Sequence, residues 1–452
     1  MRRSPGTTVL TGMLVALGAW PSAAAAQQAP VQKKLIEYGW DVPNPAYVRE
    51  HIRDMEKLPF DGLIMRMAVG GRVLVKEKWT EESVADDFEH LRNIEWGTFT
   101  HNFLIMYAAS EVDWFSDADW EAVCHNVGLT ARAAKLGRCK GLCFDAEPYG
   151  TNPWHYPTQA HAQDRSFAEY EAQVRKRGAQ FMKAITDEMP EVVLHTFFLL
   201  GYFGDLWHMD DLEARAEQLS TKHYALYPAF INGMLDAAGP GAIITDGNES
   251  AYYYQDALSF YRAYHAIRQS ALAMVAPENA GKYRTQVQAS QALYVDHLLN
   301  LRTQKYLSAY LEPDERAKWF EHNVYYALTT TDEYVWLYSE RMNWWTNENI
   351  PPGLEEAVRS ARAKVHNHQP LGLDIEPILE AGREREREAV RASLIQRSAQ
   401  IARLPEGTPA PTIDGSLADP AWAAATTLEA FVPYVRQKDA QVQPTEARVV
   451  HD

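Results

Sequence analysis

A chain of 452 residues that is 46% hydrophobic can bury a large core and has room for more than one domain. Its formal net charge of −16 argues against nucleic acid or an anionic membrane as partner of the protein body, and leaves neutral or basic ligands open. The only cysteines, Cys124, Cys139 and Cys143, give neither a disulfide framework nor a zinc spacing and are expected to be buried free thiols.

In chain order, residues 1–26 read as a signal peptide. A basic start is followed by "TVLTGMLVALGAW" and by small residues that place cleavage near Ala26 and the mature start near Gln27. No later run approaches the ~18 apolar residues of a membrane span, so an exported protein with no integral span after cleavage is expected.

From residue 33 to 370, short apolar runs alternate with longer helical patterns. The runs are 35–40, 62–67, 102–108, 141–144, 192–199, 242–245, 290–295 and 334–339. The patterns that follow them cover 45–57, 80–93, 117–136, 164–189, a stretch from about Asp210, 251–276, 313–328 and 353–366. Strands alternating with helices make a parallel sheet, and eight such units predict a closed (β/α)8 TIM barrel as the catalytic domain. Segment 223–241 fits neither element cleanly and reads as a long loop with a helix. Residues 371–411 read as a charged helix and Pro-rich linker, and 412–452 as a separate β fragment.

In such a barrel the chemistry lies where strands end. The first run ends in Tyr38, Trp40 and Asp41, and the second carries Arg66, whose charge is expected to point inward. The fourth ends in "GLCFDAEPYG". Asp145 and Glu147, two residues apart, share one side. Close carboxylates raise one another's pKa, which suits a general acid beside an ionised partner. Glu147 is read as the general acid, Asp145 as nucleophile or electrostatic partner, and Asp246 after the sixth run as the second acid, with Glu249 and Glu340 in reserve. The alternative is a rim salt bridge to Arg66. The fifth run carries His195, and the seventh ends in Asp296. Tyr149, Trp154, His155, Trp344 and Trp345 crowd the loops, where flat rings beside polar groups suit a sugar. No phosphate-binding glycine loop, G-x-S-x-G elbow or histidine pair for a metal occurs, so neither cofactor nor metal is expected.

Two resemblances add to this. "TIDGSLADPAWAAATTLEAFV", with Ile413-Asp414-Gly415, Asp419-Pro420-Ala421-Trp422 and the final "EARVVHD", resembles the opening of a family 9-type carbohydrate-binding module. That implies a truncated β-sandwich fragment with Trp422 in its core, and such a fragment is not expected to fold alone. "GLCFDAEPY" resembles the fourth-strand signature of family 18 chitinases, with Asp145 and Glu147 at its last two acids and Cys143 in place of the first. Asp145 and Asp246 equally resemble the nucleophile and acid/base places of barrel α-glycosidases. Both likenesses imply a glycoside hydrolase with a carbohydrate substrate, which the signal-peptide reading makes an exported one. The alternatives are a non-catalytic glycan-binding barrel and a metal-dependent deacetylase or lyase.

Overall fold

The computed structural model describes Met1 and residues 32–393, 399–412, 414–428 and 446–451. Apart from Met1, the signal-peptide reading and the mature start near Gln27 lie outside the described residues. Nine strands pair in parallel: β1 (Lys34–Gly39), β2 (Gly62–Met65), β3 (Phe103–Tyr107), β4 (Gly141–Asp145), β5 (Val193–Thr196), β6 (Ile243–Asp246), β7 (Val287–Ala289), β8 (Gln291–Tyr294) and β9 (Tyr334–Ser339). Their order is β7-β6-β5-β4-β3-β2-β1-β9-β8. Helices surround this sheet, so most strands are covered on both faces and read as unbroken apolar runs.

The architecture is the α/β TIM barrel, with one correction. The seventh strand begins at Val287, earlier than expected, and is broken in two: β7 pairs with β6 and β8 with β9. Ser290 lies between the halves and bonds to both sides of the seam. Its N–H donates to Asp246 O at 2.8 Å, and its hydroxyl to Tyr334 O at 2.7 Å.

Segment 223–241 holds a real helix, Tyr227–Ala237, in which residues 227–235 are all buried. It packs on helix Phe167–Thr186 through two close glycines. A Cβ on Gly178 would meet Phe230 O at 2.2 Å, and one on Gly233 would meet Arg175 O at 2.0 Å. That outer helix starts with a capping box, Ser166 with Glu169.

The compact barrel unit runs to Gly382, past the expected end at 370. Ile375 and Leu379 are buried, and a Cβ on Gly382 would lie 2.6 Å from Leu311. The charged segment is helix Glu376–Ser393, so its first turns belong to the barrel unit.

Among its described residues the second unit, 383–452, contains three short strands, Ala402–Arg403, Thr426–Leu428 and Ala447–His451, with the last in the middle. Ala421 is buried and Trp422 half-buried. Three strands this short bury little, and isolated strands are marginal. A chain ended after Ser393 is therefore expected to keep the barrel's melting transition and any activity, while a 399–452 peptide shows no cooperative melt by circular dichroism. A sigmoidal melt of that peptide would refute this.

Candidate active site

At the C-terminal mouth of the barrel a cavity of about 470 Å³ opens. Its floor is aromatic. Tyr38 of β1 lies 4.8 Å from Phe197, centroid to centroid, and Phe197 stacks on Trp336 of β9 at 4.3 Å. Tyr252 stacks on Tyr338 at 5.5 Å. Trp40, at 64% exposure, and Tyr149, at 48%, stand on the rim, and Arg341 lies over the Trp40 ring at 5.6 Å from its centroid.

Two carboxyl side chains line this cavity, Glu147 beyond β4 and Glu249 beyond β6. Asp145, the last residue of β4, is fully buried beneath them. Alternation along the strand puts Asp145 and Glu147 on one side, and the Tyr149 hydroxyl joins them, 2.9 Å from Asp145 Oδ2 and 2.7 Å from Glu147 Oε2. A phenol has one proton to donate. If Tyr149 donates to one carboxylate, its contact with the other needs a carboxyl proton. Burial pushes Asp145 up to about 7, against the pull of the Glu147 N–H at 2.8 Å, and the Glu147 charge adds to the rise. Glu249 goes higher, to about 8, through burial and then the charges of Glu147 and Asp145. Among the described residues no Lys, Arg or His lies within ion-pairing distance of these three acids. The rim salt bridge from Glu147 to Arg66 does not form, although Arg66 lines the same cavity.

Several other expected site residues lie elsewhere. Asp246 is fully buried and turned away from the mouth. It accepts from the N–H groups of Gly201 at 2.8 Å and Asn248 at 3.2 Å, and burial lifts it to about 6. Its neighbour Thr245 takes the inward position and bonds His195 at 2.7 Å. His195 lies under the aromatic floor, among Phe103, Tyr334 and Trp336, and burial lowers it to about 3, so it stays neutral. Trp154 is 0% exposed, packed on Trp114, Tyr227 and Phe230. Its indole N–H donates to Ala146 O at 2.7 Å, which holds the backbone between the two β4 acids without touching the cavity. His155 is half-buried beside Thr158. Trp344 is buried edge-on against Phe60, and Trp345 half-buried near it. Glu340 accepts from Tyr294 at 2.7 Å and pairs with Arg302 at 3.5 Å.

Asp41 and Asp296 belong to a second, enclosed acid group with Glu37, which sequence reading did not single out. Tyr38 faces into the barrel, so Glu37 faces the helix layer, with neither carboxyl oxygen bonded to a donor. Asp41 accepts from Trp344 N at 3.0 Å, and Asp296 from Glu340 N at 2.8 Å. Burial, then the Asp41 charge, hold the Glu37 pKa well above its ordinary value. A folded-state pKa raised in this way contributes stability at low pH that drains away as pH climbs above about 4.5 toward the folded value. Gln is neutral at every pH. Glu37→Gln is therefore expected to melt several degrees above wild type at pH 9, with the gap narrowing toward pH 5. Equal melting temperatures across that range would contradict the assignment.

Arg72, Phe197 and Tyr338 also line the cavity unforeseen. Phe197 and Tyr338 lay inside apolar runs that read as core, and Arg72 in a loop with no strand pattern. Among the described residues no group of three His, Cys, Asp or Glu is placed to hold a metal ion.

No protein-family model matches the chain, and no curated protein matches it in sequence. Similar solved structures are other barrels. A GH18 chitinase from Pseudoalteromonas aurantia aligns over 73% of this chain and 100% of its own, at 12% identity and a TM-score of 0.36. A GH5-4 broad-specificity endoglucanase from Clostridium cellulovorans aligns over 71% and 88%, at 12% identity and 0.39. A sugar phosphate isomerase/epimerase from Parabacteroides distasonis aligns over 75% and 99%, at 12% and 0.31. Similarity this loose carries no argument about chemistry, which rests on the site itself.

Proposed function

We propose that the protein is an exported glycoside hydrolase working with Glu249 and Glu147 at the barrel mouth. The observation that carries this reading is a pair of carboxyl groups from different strand ends facing one aromatic cavity, with Glu249 held at about 8. At neutral pH Glu249 carries a proton that it can give to the glycosidic oxygen as the C–O bond breaks. Glu147 then attacks the anomeric carbon, directly or by taking a proton from a water that does so. This assignment moves the general acid from Glu147, where sequence reading put it, to Glu249. Asp145 and Tyr149 become positioning residues that hold Glu147 and supply its negative surroundings. The aromatic floor and Trp40 offer flat faces to the C–H side of sugar rings.

The test is incubation of the purified protein with plant, algal and microbial glycans, reading new reducing ends. Release from at least one glycan, lost in Glu249→Gln, is expected. Binding with no release from any glycan would replace the hydrolase with a glycan-binding barrel.

A further inference from the structure

The cavity has a second chemical character that the acid pair does not use. Arg66 and Arg72 both line it, both are exposed, and neither makes an ion pair or a side-chain hydrogen bond among the described residues. Exposed arginines elsewhere are of both kinds: among the described residues Arg92, Arg262 and Arg284 make no ion pair, whereas Arg53, Arg165 and Arg359 each find an acid. The two cavity arginines do not, even with Glu147 and Glu249 on the same wall.

Their place is built rather than loose. The loop after β2 is tied down by Asp87, a buried carboxylate that accepts from Ala68 N at 2.9 Å and Val69 N at 3.3 Å. Farther on, Tyr107 N donates to Gly71 O at 2.8 Å, and Arg72 bridges to Tyr107 at the end of β3. Gly71 has to be glycine, because a Cβ there would lie 2.6 Å from the Tyr107 ring. Buried Val73 and Leu74 anchor the far side. Arg66 is held by its own N–H, which donates to Pro43 O at 3.0 Å. A fixed loop thus presents two planar, permanently charged forks to the cavity. Arg341, over Trp40, adds a third cation at the rim, also without an ion pair among the described residues. Guanidinium forks match the two coplanar oxygens of a carboxylate and the oxygens of a sulfate.

We propose that the glycan held in this cavity is acidic, with a carboxylate or sulfate on the sugar bound by Arg66 and Arg72. This rests on the glycoside hydrolase reading for the fate of the sugar, but not for its binding. Binding is therefore the readout. Calorimetry would compare trigalacturonate with its methyl ester, and a sulfated galactan oligosaccharide with its desulfated form, using the wild-type chain and Arg66→Gln/Arg72→Gln. Both side chains are exposed, so the double variant should fold, which a melting curve checks. Wild type is expected to bind at least one acidic member about tenfold or more tighter than its neutral counterpart, a preference the double variant loses to within about twofold. The uronate and sulfate arms tell the two sources apart. Equal affinity for acidic and neutral forms, no binding in either arm, or a preference that survives in the double variant would each overturn the proposal. Selective acidic binding without hydrolysis would uphold it while sinking the hydrolase reading.

Discussion

Glu249→Gln is expected to lower kcat on an unactivated glycoside by about 10²–10⁴-fold while leaving substrate binding in place. The amide keeps the size of the side chain and removes the transferable proton. Three features make the prediction specific. An acid that must be protonated, with its pKa at about 8, loses activity above that pH, so wild-type kcat/KM should fall about tenfold per unit beyond pH 8. The residual rate of Glu249→Gln should lack that limb. Aryl glycosides with good leaving groups, which need little protonation, should be partly spared. The variant should also melt higher than wild type at pH 9, because a carboxyl raised by burial destabilises the fold as pH climbs through its folded pKa, and Gln does not titrate. A Glu249→Gln chain with the wild-type alkaline limb would remove Glu249 from the chemistry.

Glu147→Gln should cost at least as much, about 10³-fold or more in kcat, since it removes the group that attacks the anomeric carbon or activates the water. Here activated leaving groups should give no relief. Its second effect is electrostatic. The Glu147 charge helps to raise both Glu249 and Asp145, so its removal should move the remaining alkaline limb to lower pH. A structural role for Glu147 predicts lower stability with a rate within a few-fold of wild type. Rate, melting temperature and the position of the limb, measured on one preparation, separate the two.

The barrel was legible because strands covered on both faces are short apolar runs with nothing to confuse them. The site was legible where it lies on such a run: Asp145 and Glu147 are where the period of two puts them. It was less so one step away. Asp246 ends its strand, but the same period turns it outward, and the cavity-facing acid comes from the helical turn Glu249–Tyr253 beyond it. Segment 223–241 resisted reading because its helix is buried all round, and such a helix has no polar face to mark a 3.6-residue period. The split seventh strand left no mark either, since Ser290 breaks the ladder by one residue only. Loop tryptophans misled for a related reason. Trp154 and Trp344 follow strand ends in sequence yet fold back into the core, where Trp154 steadies the backbone between the acids. Arg72 depends on a loop whose shape is fixed by Asp87 from a distant helix, a long-range contact that no local pattern records.

The most direct test of the account compares wild type, Glu147→Gln and Glu249→Gln for release of reducing ends from the same neutral and acidic glycans at pH 6, with a melting curve on each sample. The account predicts release by wild type and its loss, by about 10²-fold or more, in two variants that melt at or above the wild-type temperature. Two folded variants that release reducing ends at near wild-type rates would contradict it, as would a wild-type chain that releases none.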